Sequence, residues 1–194
     1  MTAATLIDPE TSCPIELMRW TREQFEAAAA KGAFDDDPRI ELLDGHILSM
    51  PVQSPRHVIA VDQTRDALAS IFRDNFYVRA QSPFALDDLS APEPDVAVVP
   101  GTRYDYASKH PTRAILLVEI SDTTLAKDRG PKLRAYARNG VPEYWIVNLP
   151  DAQVEVHREP HGETYASRQV FRSGQTISAL NRPDAVIAVA DLLP

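Results

Sequence analysis

Residues 114–149 read AILLVEISDTTLAKDRGPKLRAYARNGVPEYWIVNL, and their order decides the fold. Ala114 to Ile120 is an apolar run interrupted only by Glu119, the pattern of a strand buried on both faces. A short helix is expected from about Pro131 to Arg138, because Pro131 suits a first turn and Gly140 falls just past the end. Glu143 to Val147 (EYWIV) reads as the next strand. Strand, crossover helix and strand in that order imply a parallel pair.

The flanking segments add antiparallel structure. Trp20 to Ala30 (WTREQFEAAAA) opens with a helix-start signature, Thr21 as N-cap and Gln24 three residues on as its capping-box partner. Gly32 would end that helix, and FDDDP (residues 34–38) is a loop. RIELLDGHILSM (residues 39–50) reads as a β-hairpin turning at Asp44-Gly45. From His57 to Phe72, Val58, Val61, Ala67, Leu68, Ile71 and Phe72 recur near helical spacing, as on a helix packed against a sheet. Tyr77 to Phe84 and Asp95 to Val99 are expected strands, and Val154 to Arg158 and Tyr165 to Phe171 continue antiparallel. The last stretch, DAVIAVADLLP, is expected to form a strand or an interface. The expected class is α/β with α+β character: a mixed central sheet flanked by helices, with an N-terminal helix and β-hairpins.

Composition bounds the alternatives. The chain has 194 residues, 44% of them apolar, which suits one domain over 1–194 with a proper core, and residues 1–14 are expected to be poorly ordered. Uninterrupted apolar stretches such as Ala114 to Val118 are far too short to span a bilayer. MTAATLIDPETSCP carries no basic region followed by an apolar one, so no secretory signal is expected. The single cysteine, Cys13, is expected to be a free thiol, and the location to be cytoplasmic. With one cysteine and no ligand spacing among His46, His110, His157 and His161, a structural zinc site is not expected. A formal net charge of −8 argues against tight non-specific binding to duplex DNA. It leaves room for a site where bound metal neutralises part of an acid cluster.

The chemistry rests on two acids and a lysine. Asp95 opens a strand in PEPDVAVVP (residues 92–100), and Glu119 lies near the end of the buried run. A charged residue at such a place must be paired, solvated or metal-bound. Adjacent strands could bring the two carboxylates together, and Mg²⁺ suits such a pair while keeping waters and accepting phosphate oxygens. Lys132 in a first helical turn would oppose the helix dipole, which makes sense if its ammonium points at a phosphate or a metal-bound hydroxide. The plainer alternative is a surface ion pair with Asp128, four residues away. Tyr144 and Trp145 read as core residues rather than a base-stacking platform.

The order Glu41, Pro94-Asp95, Glu119-Ile120-Ser121 and Lys132 resembles the PD-(D/E)XK nuclease superfamily, and within it the Uma-type restriction endonucleases. The resemblance runs from WTREQFEAAAAKGAFDDDPRIELLDGHILSM to KLRAYARNGVPEYWIVNL, the last stretch being the most distinctive. It implies a restriction-endonuclease-like core and a metal-dependent endonuclease acting on DNA. Asp95 and Glu119 would hold Mg²⁺, or Mn²⁺ in its place, helped by the Ile120 carbonyl, with Glu41 as an additional acid. Lys132 would position the attacking water, with Lys127 as the fallback. Ser121 stands where the superfamily's lysine usually lies, a departure the Uma-type family shares. His57 is read as a substrate or water contact or as a solvated helix-start residue, and Tyr136 as a phosphate contact or a packed ring. Two further readings stand beside the nuclease: a nuclease-fold module that binds or assembles without cutting, and a glycosidase using the acid pair. A homodimer is expected, since two sites would cut two strands.

Overall fold

The computed structural model describes residues 4–7, 14–36 and 39–194 of the chain. Its centre is the parallel pair foreseen from residues 114–149. Leu116–Ser121 (LLVEIS) and Glu143–Asn148 (EYWIVN) run side by side, Leu117 opposite Tyr144 and Glu119 opposite Ile146. Every residue of both strands is buried, as expected of strands covered on two faces. Around them a six-stranded mixed sheet is built by antiparallel additions, Val96–Pro100 and then Phe76–Ala80 on one side. On the other side lie Gln153–His161 and Thr164–Arg172. With the two N-terminal strands, Ala4–Ile7 (β1) and Pro14–Leu17 (β2), and the hairpin Ile40–Leu43 (β3) and His46–Ser49 (β4), the sheet strands in chain order are β5 (Phe76–Ala80), β6 (Val96–Pro100), β7 (Leu116–Ser121), β8 (Glu143–Asn148), β9 (Gln153–His161) and β10 (Thr164–Arg172). The mixed α+β class expected from the sequence is therefore observed.

Strand alternation sorts the core into two layers. Leu116, Val118 and Ile120 of β7 share a cluster with Trp145, Val147 and helix α2 (Pro55–Ile71), through Ala60, Val61 and Leu68. Leu117 joins the opposite cluster with Tyr144, Ile146 and the residues Ala135, Tyr136 and Ala137 of the crossover. Glu119 shares the face of Leu117, so its carboxylate is directed at the crossover helix and not at α2.

Local expectations hold at several joints. Helix α1 (Arg22–Ala29) carries the complete capping box, Gln24 donating its N–H to Thr21 Oγ1 and Thr21 its N–H to Gln24 Oε1. The β3–β4 hairpin turns at Asp44 and Gly45, with φ of 51° and 78°, the left-handed pair that a tight hairpin turn demands. Tyr144 and Trp145 are fully buried. In the last segment, Ile187–Ala188 pairs with Thr176–Ile177, and Ile187, Val189 and Leu192 enter the α2-side core. No helix among the described residues is long and apolar enough to cross a membrane.

Two boundaries differ from the sequence reading. The strand expected over Tyr77 to Phe84 ends at Ala80, where Gln81 adopts a φ of 44° and turns its N–H to the Asp95 carbonyl. The crossover is helical from residue 125 rather than 131: α3 (Leu125–Lys127), a π turn (Asp128–Lys132) and α4 (Leu133–Arg138) follow without a break. Pro131 is inside this segment and not at its start. It has no N–H for an i→i−4 bond and its ring would strike the carbonyl four residues back, so the helix widens by one residue there. The expectation of poor order over 1–14, and Cys13 with it, falls largely on residues 1–3 and 8–13, outside the described residues. Ala4–Ile7 pairs antiparallel with Pro14–Leu17.

One buried carboxylate ties β8 to its surroundings. Glu143, at 1% exposure, accepts from Trp145 Nε1 at 2.9 Å and from Arg158 at 2.9 and 2.7 Å. Its other oxygen accepts from the Leu180 N–H at 2.7 Å. Truncation would strand the Arg158 charge and two N–H groups. Glu143→Ala is expected to cost about 3–5 kcal/mol in urea denaturation, and a loss below about 1 kcal/mol would mean that these donors find other partners.

Candidate active site

Glu119 sits where β7 leaves the core, 2% exposed. Burying a lone carboxylate there would be prohibitive, and the crossover supplies its partners. Lys132 Nζ and Tyr136 Oη both donate to Glu119 Oε1, at 2.9 and 2.7 Å. Lys132 and Tyr136 are one helical turn apart, so a single helix face serves one oxygen. Both donors land on Oε1, and Oε2 has no protein donor among the described residues.

Glu41 lies in β3 at 1% exposure. Lys127 Nζ donates to its Oε1 at 2.9 Å, Lys132 Nζ approaches its Oε2 at 3.2 Å, and the Glu93 N–H donates to Oε2 at 3.1 Å. Lys127 and Lys132 are five apart. At 3.6 residues per turn they would face about 140° away from each other, and the π turn between them closes most of that angle. The widened turn thus lets two ammonium groups meet one carboxylate.

Asp95 directly precedes β6 and is held from three sides. The Ile120 N–H donates to its Oδ2 at 2.8 Å, His57 Nε2 lies 3.3 Å from the same oxygen, and Gln81 Nε2 donates to Oδ1 at 3.3 Å. His57 comes from the first turn of α2, whose N-cap Ser54 donates to Asp122 at 2.6 Å. The structure therefore gathers Glu41, Asp95, Glu119, Lys127, Lys132, Tyr136 and His57 around one cleft, with Ile120 on its floor strand. The surface ion pair Asp128–Lys132 is not formed. Both residues are buried, and Asp128 instead accepts from Ser121 Oγ at 2.7 Å and Thr124 Oγ1 at 2.5 Å. This also accounts for Ser121. Its side chain is committed to Asp128, and the amine that meets Glu119 arrives on Lys132.

Several cleft residues escaped the sequence reading. Arg39, Glu93, Asp122 and Asp128 line it with Asp95, Glu119 and the two lysines. Glu93 stands two residues before Asp95 in PEPD, a spacing that keeps two side chains on one side of an extended chain and could have flagged it. Nothing local marks Asp128, because its partners Ser121 and Thr124 are too ordinary to signal.

The electrostatics follow from crowding. Five carboxylates (Glu93, Asp95, Glu119, Asp122, Asp128) line the cleft against three permanent cations (Arg39, Lys127, Lys132), with Glu41 beneath. Burial pushes Glu119 up to about 8, and the Lys132 charge offsets only part of that. Burial also raises Asp128. For Glu41 burial acts upward, but Lys132 and Lys127 outweigh it and hold the acid below its ordinary range. Burial would lower Lys132, and the surrounding Glu119, Glu41, Asp128 and Asp95 keep it above the ordinary lysine value. His57 is likewise raised, its contact with Asp95 outweighing burial.

Among the described residues no three His, Cys, Asp or Glu side chains already surround a common point as metal ligands. The donor chemistry nonetheless fits a hard divalent cation: carboxylates on Asp95 and Glu119, a peptide carbonyl on Ile120, and a local surplus of negative charge. The cleft holds about 90 Å³, room for an ion with some of its water.

Comparison with known proteins bears on the family and the fold. The family model Uma2, described as "Putative restriction endonuclease", matches residues 22–190. No curated protein matches the chain. Among solved structures, the fold resembles the crystal structure of a putative nuclease belonging to DUF820 from Anabaena variabilis ATCC 29413, with a TM-score of 0.64. The likeness covers 79% of this chain and 88% of that one at 15% identity, a likeness of fold.

Glu119 makes a pH signature. Its folded value near 8 exceeds the ordinary 4.5, so the folded state binds the proton more tightly. The resulting stability is complete below about 4.5 and is lost as pH rises through about 8. In a chelating buffer, the melting temperature of the wild type is expected to fall more steeply between pH 5 and pH 8 than that of Glu119→Gln. Parallel profiles would show that Glu119 is already ionised across this range.

Proposed function

The chain belongs to the Uma2 family of putative restriction endonucleases, and on that premise we propose that it is a divalent-metal-dependent endonuclease hydrolysing DNA phosphodiester bonds. The observation that carries this reading is the convergence of Asp95, Glu119 and Lys132 on one cleft, Lys132 Nζ standing 2.9 Å from Glu119. Asp95, Glu119 and the Ile120 carbonyl would hold Mg²⁺, or Mn²⁺ in its place, with Glu41 as the acid behind them. When bound, the cation acidifies a water and offsets charge gathering on the phosphate.

The remaining work falls to the chain's own groups. Lys132, held charged by the acids around it, is suited to orient the attacking water by donating a hydrogen bond, not to take its proton. Tyr136 Oη and Lys132 together fix the Glu119 carboxylate, so that Oε2 is presented to the cleft. His57 and the Ile120 N–H do the same for Asp95. Lys127 and Lys132 brace Glu41 and keep it ionised. This preorganisation lets the site stabilise developing charge without rearranging. A double-strand break would require two such sites, supplied by a second copy of the chain.

A second reading, a nuclease-fold module that binds without cutting, is favoured by the net charge of −8, which gives little long-range attraction for DNA. One experiment separates the two. Plasmid cleavage with Mg²⁺ or Mn²⁺ is expected from the wild type and is expected to drop by about 100-fold or more in Asp95→Asn, with calorimetric Mn²⁺ binding weakened in step. Equal cleavage by both proteins, or no metal binding by the wild type at millimolar concentration, would overturn the nuclease reading. DNA binding without cleavage would establish the second.

A further inference from the structure

Arg39 is the one permanent cation of the cleft without a partner among the described residues. Lys127 is spent on Glu41, and Lys132 on Glu41 and Glu119. Arg39 lines the same wall as Glu93, Asp95 and Lys132 yet forms no ion pair among the described residues. Its charge is felt by Glu93, but no carboxylate of the described residues comes within salt-bridge distance. Its Nε is closed off from solvent and has no hydrogen-bond partner. A sheltered guanidinium N–H left unpaired is costly, and such a group calls for an explanation.

The backbone there is not loose. The Met50 N–H donates to the Arg39 carbonyl at 2.8 Å, adding one rung to the β3–β4 hairpin beyond Ile40. Arg39 and Glu41 are two apart on that extended chain, so both side chains leave the same face. The hairpin that buries Glu41 beneath the cleft therefore presents Arg39 at its wall. Residues 50–54, returning from the hairpin toward α2, line the cleft beside it.

We propose that Arg39 is a substrate-binding residue that receives a phosphoryl oxygen of the nucleic-acid backbone in this cleft. The proposal rests on the nuclease reading for the identity of the substrate. The guanidinium fork matches a phosphate group in shape and charge. It is the cation of the cleft that no carboxylate of the described residues holds, whereas each lysine ammonium is already paired. The assignment divides labour within the site: the lysines hold the acids in place, and the arginine holds the substrate.

The test uses inorganic phosphate, with and without Mg²⁺, on the full chain, read by phosphorus NMR line broadening and by thermal shift. Saturable phosphate binding is expected for the wild type, weakened by about 10- to 100-fold in Arg39→Gln, the scale of one charge-assisted hydrogen bond. Arg39→Lys keeps the charge but not the fork and is expected to fall between them. If the wild type binds no phosphate, or Arg39→Gln binds it equally well, the proposal is overturned, whether or not DNA is cleaved. A variant that loses thermal stability but keeps phosphate affinity overturns it too, since Arg39 would then serve only Glu93. Phosphate binding that depends on Arg39 supports the proposal even in a protein that fails the cleavage test. For DNA, Arg39→Gln is expected to lower affinity evenly across sequences and to reduce the salt slope by about one.

Discussion

Everything around the cleft depends on one buried ion pair, Lys132 with Glu119. Each charge alone would be untenable at 2% exposure, and each is tolerated because the other, with Glu41 and the Tyr136 hydroxyl, completes its surroundings. Such a pair adds little stability over an apolar filling of the same volume. What it does fix is geometry. It locks the crossover helix against β7 and pins the β3–β4 hairpin onto both, so three segments far apart in sequence must meet at one place. The π turn is part of the same constraint, since an unbroken α-helix would carry Lys127 and Lys132 to different faces.

The pair also explains why the cleft has the electrostatic character it has. Two lysines are consumed internally, which leaves the cleft wall acidic and leaves Arg39 as its positive group without a partner among the described residues. The raised value of Glu119, the raised Asp128 and the lowered Glu41 record how unevenly that internal neutralisation is shared. A hard cation between Asp95 and Glu119 would relieve the surplus, and on the proposed reading it would let an acidic chain house phosphodiester chemistry. On the proposed reading, attraction for the substrate would be local, a matter of one ion and one guanidinium, and not of a basic surface.

Much of the fold was legible in residue order. The runs LLVEIS and EYWIVN were readable as buried parallel strands because burial on both faces leaves no polar alternation. The Asp44-Gly45 turn and the Thr21–Gln24 capping box were readable because their chemistry is contained within four residues. The crossover helix was misplaced at its start for an equally local reason. Pro131 ordinarily marks a first turn, and a π turn around an interior proline is stabilised by contacts the local sequence does not reveal.

For the cleft, the sequence by itself determined which acids, lysines and tyrosine were available and on which elements they ride. It also determined that Glu119 would need a partner, because a charge cannot be left bare in a buried strand. The tertiary structure alone decided who that partner is. Lys132 is bound to Glu119 and not to the nearer Asp128, because Ser121 and Thr124 claim Asp128 first. Likewise it decided that Lys127 serves Glu41 while Arg39, two residues from that same acid, is left facing the cleft. Ion-pair choice depends on distance and shared burial in space, and sequence separation carries neither.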